Sequence, residues 1–396
     1  MADTHKMLLR ERIAAELESL REQSQLRSLE ILSGVNLCSN DYLGIAADPR
    51  LKQAAIEAVA SARQMGATGS RLLSGNSREW QELESEFAEF VGTESALYFG
   101  SGYAANVGLL SAILQPGDIV FSDALNHASL IDGMRLSGAE KIIYPHGDIQ
   151  FLEDALREKS RSRGAKVIVT ESIFSMEGDV ARMEDLLRLA KTQGAELIVD
   201  EAHALGACGP EGRGIVAGLK HEREILAIVY TCGKALASAG AFVCCSAKLK
   251  EFLVNRARTF LFSTALPPYF ARQIHAALAI ARKEDSRRKH LHEISIALRT
   301  ELSAAGLNYG ASSTQIVPVI LGANETAVNA AAQLQAAGFA VRAIRPPTVP
   351  PGTARIRVSL TSRITFADVH RLVGALGAAV HSRDLSAVEA ATVANA

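Results

Sequence analysis

Residues 196–203 read Glu196-Leu197-Ile198-Val199-Asp200-Glu201-Ala202-His203, and the order of residue types in this stretch governs how the rest of the chain is read. Leu197, Ile198 and Val199 form a short apolar run without alternation, the pattern of a strand covered on both faces. It ends in an acid, with a histidine three residues on. In open α/β sheets ligands bind beyond the carboxyl ends of the strands, which puts Asp200 and His203 where chemistry is done. The competing reading is a pair of ordinary loop residues or a helix cap. Working outward, similar runs recur at Ala96–Phe99, Ile119–Ser122, Lys166–Thr170, Ile225–Tyr230 and Gly240–Cys245, separated by helical patterns between about Asp48 and Arg282. Apolar strands alternating with helices predict a mostly parallel central sheet in a doubly wound α/β domain.

The flanks differ. Residues 1–46 read as an N-terminal arm, with an amphipathic helix over Arg10–Leu32 that places Ile13, Leu17, Leu20 and Leu26 on one side. Residues 47–282 form the large α/β domain, and residues 283–396 a smaller α+β domain. The glycine-free stretch Tyr269–Arg299 predicts one long helix bridging the two. Strands are expected at Gln315–Leu321, Phe339–Ile344 and Ala354–Leu360, helices at Thr326–Ala337 and Phe366–Ala379, and an unstructured tail from Leu385 to Ala396.

Composition narrows the classes of function. With 48% hydrophobic and 21% charged residues the chain is globular in character rather than disordered, and its net charge of −1 offers no footprint for nucleic acid or an anionic membrane. The 5 cysteines are scattered without metal-site spacing and read as reduced thiols. No leader-type apolar core opens the chain, and the expected location is the cytoplasm.

Beyond the next apolar run comes Thr231-Cys232-Gly233-Lys234-Ala235-Leu236-Ala237-Ser238-Ala239-Gly240. A lysine among small residues is poorly explained as a solvated charge, whereas a desolvated lysine amine is a nucleophile suited to imine formation. An acid on one strand end and a lysine on its neighbour meet the demands of pyridoxal phosphate (PLP), whose aldehyde needs an amine and whose ring nitrogen needs an acid. The turn Phe99-Gly100-Ser101-Gly102-Tyr103 offers amides at a helix start for a phosphate; taken alone it also suits a dinucleotide. His127 in Asn126-His127-Ala128-Ser129 and Ser175 in Ser175-Met176-Glu177-Gly178-Asp179 follow strands at the same edge, and each also reads as an ordinary structural residue.

Together these segments resemble the α-oxoamine synthases, a branch of the fold-type-I PLP-dependent transferases related to aspartate aminotransferase. The similarity also covers Ser39-Asn40-Asp41-Tyr42-Leu43-Gly44, Gly69-Ser70-Arg71, Ser74-Gly75-Asn76 and Phe262-Ser263-Thr264. It implies that Lys234 forms the imine with the cofactor, Asp200 pairs with the pyridine nitrogen, His203 bonds the ring hydroxyl and His127 stacks on the ring. Ser175, Thr231 and the Gly102 and Tyr103 amides complete that side of the site, while Ser263 and Thr264 reach the phosphate from the neighbouring subunit of a homodimer with shared active sites. Arg355 clamps the amino-acid carboxylate, and Arg27 and Thr348 face the acyl donor. The segment Ile344–Arg357 is similar to the branch serving biotin synthesis, which implies L-alanine and a pimeloyl thioester, on coenzyme A or an acyl carrier protein, as substrates. The alternatives are a glycine-using relative such as 2-amino-3-ketobutyrate CoA ligase and a silent cofactor-binding module of a regulator. The chain departs from the family pattern at Ala204-Leu205, where Gly-Thr is common, and at Ala237, where glycine is usual.

Overall fold

The computed structural model describes residues 8–219 and 221–393. The chain divides into two compact units, one formed by Asn40–His292 with Thr361–Arg363, the other by Met1–Ser39, Glu293–Leu360 and Ile364–Ala396.

The first unit is built on a sheet of 7 strands: β1 (Ser95–Phe99), β2 (Ile119–Asp123), β3 (Glu140–Tyr144), β4 (Lys166–Glu171), β5 (Glu196–Asp200), β6 (Ala227–Thr231) and β7 (Ala241–Cys245). Their spatial order is β1-β7-β6-β5-β4-β2-β3. Only β7 runs against the others, pairing antiparallel with both β1 and β6. The expected apolar runs became strands because both faces are covered: Val167, Val169, Ile198, Val229 and Val243 share one buried cluster with Leu109, Leu110, Leu130 and Met134 from two helices. The unexpected strand is β3, on the edge, where Glu140, Lys141 and Ile143 are exposed and the apolar signal is diluted.

Those two helices, Gly102–Ile113 and Ala128–Ser137, touch closely at Gly133. A Cβ there would lie 2.9 Å from Leu110 Cβ and 3.0 Å from the Asn106 carbonyl, and only glycine permits the approach. The contact brings the second turn of one helix beside the first turn of the other.

The single long helix expected over Tyr269–Arg299 is instead two, Pro268–Arg282 and Asp285–Ala304. Lys283 caps the first, and Glu284 turns inward, where its nearly buried carboxylate pairs with Arg50 and with Arg287 at 2.9 Å. A buried, doubly paired acid holds the break.

In the second unit, a three-stranded antiparallel sheet places Ala354–Ser359 between Ala343–Ile344 and Ile316–Gly322. The run expected over Phe339–Ile344 splits between this sheet and a short parallel pair, Val35–Asn36 with Phe339–Ala340. The N-terminal helix is Leu9–Glu22, shorter than expected, and leaves Leu26 outside it. The last helix is Phe366–Val393 and covers much of the expected tail, whose final residues 394–396 lie outside the described ones. Among the described residues no helix is long and apolar enough to cross a membrane.

Candidate active site

The carboxyl ends of β4, β5 and β6 deliver Glu171, Asp200 and Thr231 to one cavity of about 460 Å³. It is also lined by Gly102, Tyr103, His127, His203 and Lys234, so the structure gathers seven of the sequence-selected residues in one place. Ser175, buried on the loop after β4, is not among its lining residues. Ser263 and Thr264 line an adjoining cavity of about 240 Å³, which shares the Gly100-Ser101 turn with the first. A larger cleft of about 930 Å³, among helices Pro49–Ala60, Arg78–Val91 and Pro268–Arg282, contains no lysine and no strand end. The chemistry points to the smaller cavity.

Lys234 stands on a closed loop between the antiparallel pair β6 and β7. Cys232 N–H donates to Gly240 O at 2.9 Å, Ser238 N–H to Cys232 O at 2.9 Å, and Ala237 N–H to Lys234 O at 2.8 Å. Closing the last turn sets Ala237 at φ +46°, in the left-handed region. The half-buried Lys234 Nζ lies 2.9 Å from His203 Nε2, and His203 Nδ1 lies 2.5 Å from Tyr42 Oη.

Asp200 is nearly buried, and each of its oxygens is an acceptor. Oδ1 takes the Ala202 N–H at 2.8 Å and Oδ2 takes the Asn106 side-chain amide at 2.7 Å. That is the hydrogen bonding of a carboxylate anion. Glu171, its register partner on β4, is fully enclosed, and burial first and the Asp200 charge second hold its carboxyl well above the usual range. Burial pushes the His127 imidazole below its ordinary value, against the Asp200 charge, which acts to raise it, and with nearby Lys234, which acts to lower it.

At the start of the helix Gly102–Ile113, Ser101 Oγ caps the chain by accepting the Ala104 N–H at 3.1 Å. A Cβ on Gly102 would come within 2.6 Å of Thr231 Cγ2, so glycine is needed for β6 to approach the helix terminus. The first-turn amides are left without intrahelical partners, as an anion site requires.

In the second unit, Arg27 Nη2 donates to Pro346 O at 3.2 Å and to Thr348 Oγ1 and Arg345 O at 3.4 Å each. Arg345 reaches back to Ser24 O at 2.6 Å. Arg27 and Thr348, selected separately from the sequence, are therefore neighbours. Arg355 lies buried on Ala354–Ser359, its Nε donating to Thr353 O at 2.9 Å.

The sequence reading gave no role to Asn106, Ser129, Tyr42 or Glu171, although Ser129 and Tyr42 stand in motifs quoted from it. Asn106 lies one helical turn beyond Gly102, and an amide in a helix otherwise polar only at Tyr103 and Ser111 was the available signal.

The family model "Aminotransferase class I and II" matches residues 33–376. The 8-amino-7-oxononanoate synthase of Geobacter sulfurreducens is 43% identical over 92% of this chain and 96% of its own length. The chain belongs to the 8-amino-7-oxononanoate synthase family. Among solved structures, the 8-amino-7-oxononanoate synthase of Francisella tularensis superposes with a TM-score of 0.77 at 28% identity, covering 89% of this chain and 99% of that one. A structure of a serine palmitoyltransferase with PLP as its internal aldimine gives 0.86 at 29% identity, covering 94% and 97%. As a member of the 8-amino-7-oxononanoate synthase family the chain is an acyltransferase of biotin synthesis with the fold-type-I architecture and PLP as its cofactor. The donor set fits that cofactor: an amine, an ionised carboxylate, an imidazole and unpaired helix amides share one cavity.

Proposed function

We propose that this enzyme condenses L-alanine with a pimeloyl thioester, on coenzyme A or an acyl carrier protein, releasing the carrier and CO2 to give 8-amino-7-oxononanoate. The observation that carries the reading is the Lys234 amine, half-buried and 2.9 Å from His203 Nε2, in one cavity with ionised Asp200. When bound, PLP supplies an electron sink for the carbanion at the amino-acid Cα.

The chain's own residues supply the rest. Lys234 would hold the cofactor through its amine, and the same amine would be a positioned base for the amino-acid Cα proton. Asp200 would meet the ring nitrogen and keep a proton there. His203 bonds the ring hydroxyl, and His127 covers the ring face as a neutral imidazole. Gly102, Tyr103, Ser175 and Thr231 hold the near side of the cofactor, and Ser263 and Thr264 reach the phosphate in the neighbouring subunit, so the working form is a homodimer with shared sites in the cytoplasm. Arg355 offers a planar fork to the alanine carboxylate. Arg27 and Thr348 meet the acyl donor, a reading supported by their mutual contact.

The test is a steady-state comparison of alanine, glycine and serine, each with pimeloyl and shorter acyl thioesters. Alanine with the pimeloyl donor should exceed every other pair in kcat/KM by at least about tenfold, the lower range of discrimination by one small group. A preference for glycine with a short acyl chain would transfer the enzyme to the glycine-using branch.

A further inference from the structure

Asn106 is nearly inaccessible, yet its side-chain amide spends both hydrogens on groups from two other elements. One goes to Asp200 Oδ2 at 2.7 Å, on β5; the other goes to Ser129 Oγ at 2.9 Å, on the helix Ala128–Ser137. The orientation of the amide follows from chemistry: an amide oxygen facing the Asp200 carboxylate would be repelled, whereas the NH2 group is attracted. Ser129 Oγ, which receives that N–H, lies 2.7 Å from His127 Nδ1 and has its own hydrogen to offer that nitrogen. The Ser129 backbone N–H adds a second donor to the same nitrogen at 3.2 Å. Two donors aimed at Nδ1 leave no room for a proton on it. Every bond in the chain therefore has a fixed direction, beginning at an ionised acid and ending at a neutral imidazole whose hydrogen is on Nε2.

We propose that Asn106 and Ser129 are positioning residues that tie the Asp200 carboxylate to the His127 imidazole, holding the one ionised and the other in its Nε2–H form as a single unit. The inference rests on the reading above for what Asp200 and His127 do to the cofactor, but the hydrogen-bond directions stand without it. A purely structural role for Ser129, as a first-turn residue whose N–H is capped by His127, would need the backbone bond alone. The hydroxyl would then be dispensable to the ring. The other titratable groups lining the cavity are Tyr103, Glu171, His203 and Lys234.

The experiment uses the full chain labelled with 15N-histidine, with His127 assigned by the signal missing from His127→Gln, and compares the parent, Ser129→Ala and Asn106→Asp. In Ser129→Ala the neutral ring loses one stabilising donor while the backbone cap remains. The His127 titration should then move upward by about half to one pH unit, the equivalent of one ordinary hydrogen bond. In Asn106→Asp a near-isosteric carboxyl faces Asp200, the pair must share a proton, and the dissociation constant for PLP should rise at least about tenfold. Ser129→Ala should bind PLP within about threefold of the parent, since Asp200 keeps both acceptor contacts. A His127 titration in Ser129→Ala within about 0.2 units of the parent, or parental PLP affinity in Asn106→Asp, overturns the proposal. The titration is read on cofactor-free as well as PLP-loaded protein. Failure of the parent to take up PLP would thus strike the functional reading alone, and the titration would still judge the hydrogen-bond chain.

Discussion

Replacing Ala237 by glycine should make the protein more stable, although the side chain lost is a single methyl. Ala237 holds φ +46° because its N–H closes on the Lys234 carbonyl at 2.8 Å. A non-glycine residue in the left-handed region costs about 1–2 kcal/mol from the approach of Cβ to the carbonyl oxygen. Glycine removes that cost and adds about 0.4–1 kcal/mol of entropy to the unfolded chain. The difference favours Ala237→Gly by about 0–1.6 kcal/mol, with midpoints differing by about 0.8 kcal/mol. In a unit of this size that corresponds to about 1–3 °C in melting temperature. Circular dichroism melts and urea midpoints on cofactor-free protein provide the measurement, with Ala237→Val as the opposing control, since a branched Cβ is less tolerated at positive φ. Loss of more than about 0.5 kcal/mol in Ala237→Gly would show that the methyl contributes more by packing than the turn costs in strain, and would refute the reasoning.

Two further outcomes are expected. Lys234→Ala should abolish turnover and the imine absorbance of the loaded enzyme, checked by spectrophotometry of the purified variant; substantial turnover without added amine would remove Lys234 from the centre of the chemistry. His146 lies between Asp123 and Asp179, 2.9 Å from each, and although burial opposes its charge, the hydrogen bonds and charges of the two carboxylates raise it to about 10. A group raised in the folded state stabilises fully below its unfolded value of about 6.5 and loses that contribution as pH rises through about 10, so urea midpoints should fall over that window in the parent and stay flatter in His146→Gln.

The strands were legible because a doubly covered strand writes its burial into consecutive residues, as Leu197, Ile198 and Val199 do. At the sheet edge the same rule hides a strand: β3 buries only Tyr144 and leaves Glu140, Lys141 and Ile143 exposed. The break at Glu284 was invisible because its cause, Arg50, lies 234 positions away. In the cavity, residues that do recognisable chemistry, such as Lys234 and Asp200, announce themselves through type and position at strand ends. Asn106 does not, since an asparagine becomes informative only when its two partners are known, and Asp200 is 94 positions distant. Gly133, whose missing side chain lets the two helices meet, likewise reads as an unremarked helical glycine until the neighbour is in view.

The pairing of Val35–Asn36 with Phe339–Ala340 has a consequence for biosynthesis. Leu37, which follows the first of these strands, is almost wholly buried and donates its N–H to Ala340 O at 3.0 Å. While the polypeptide is being made, that partner does not exist until roughly 300 further residues have been added, about 15–60 s at ordinary elongation rates. For that interval the beginning of the chain has no place to dock, whereas Asn40–His292 has nearly all of its own unit available. The order of assembly on the ribosome is therefore middle first and both ends last. Stalling translation after residue 292 should leave a folded centre trailing an N-terminal segment still open to proteases and chaperones.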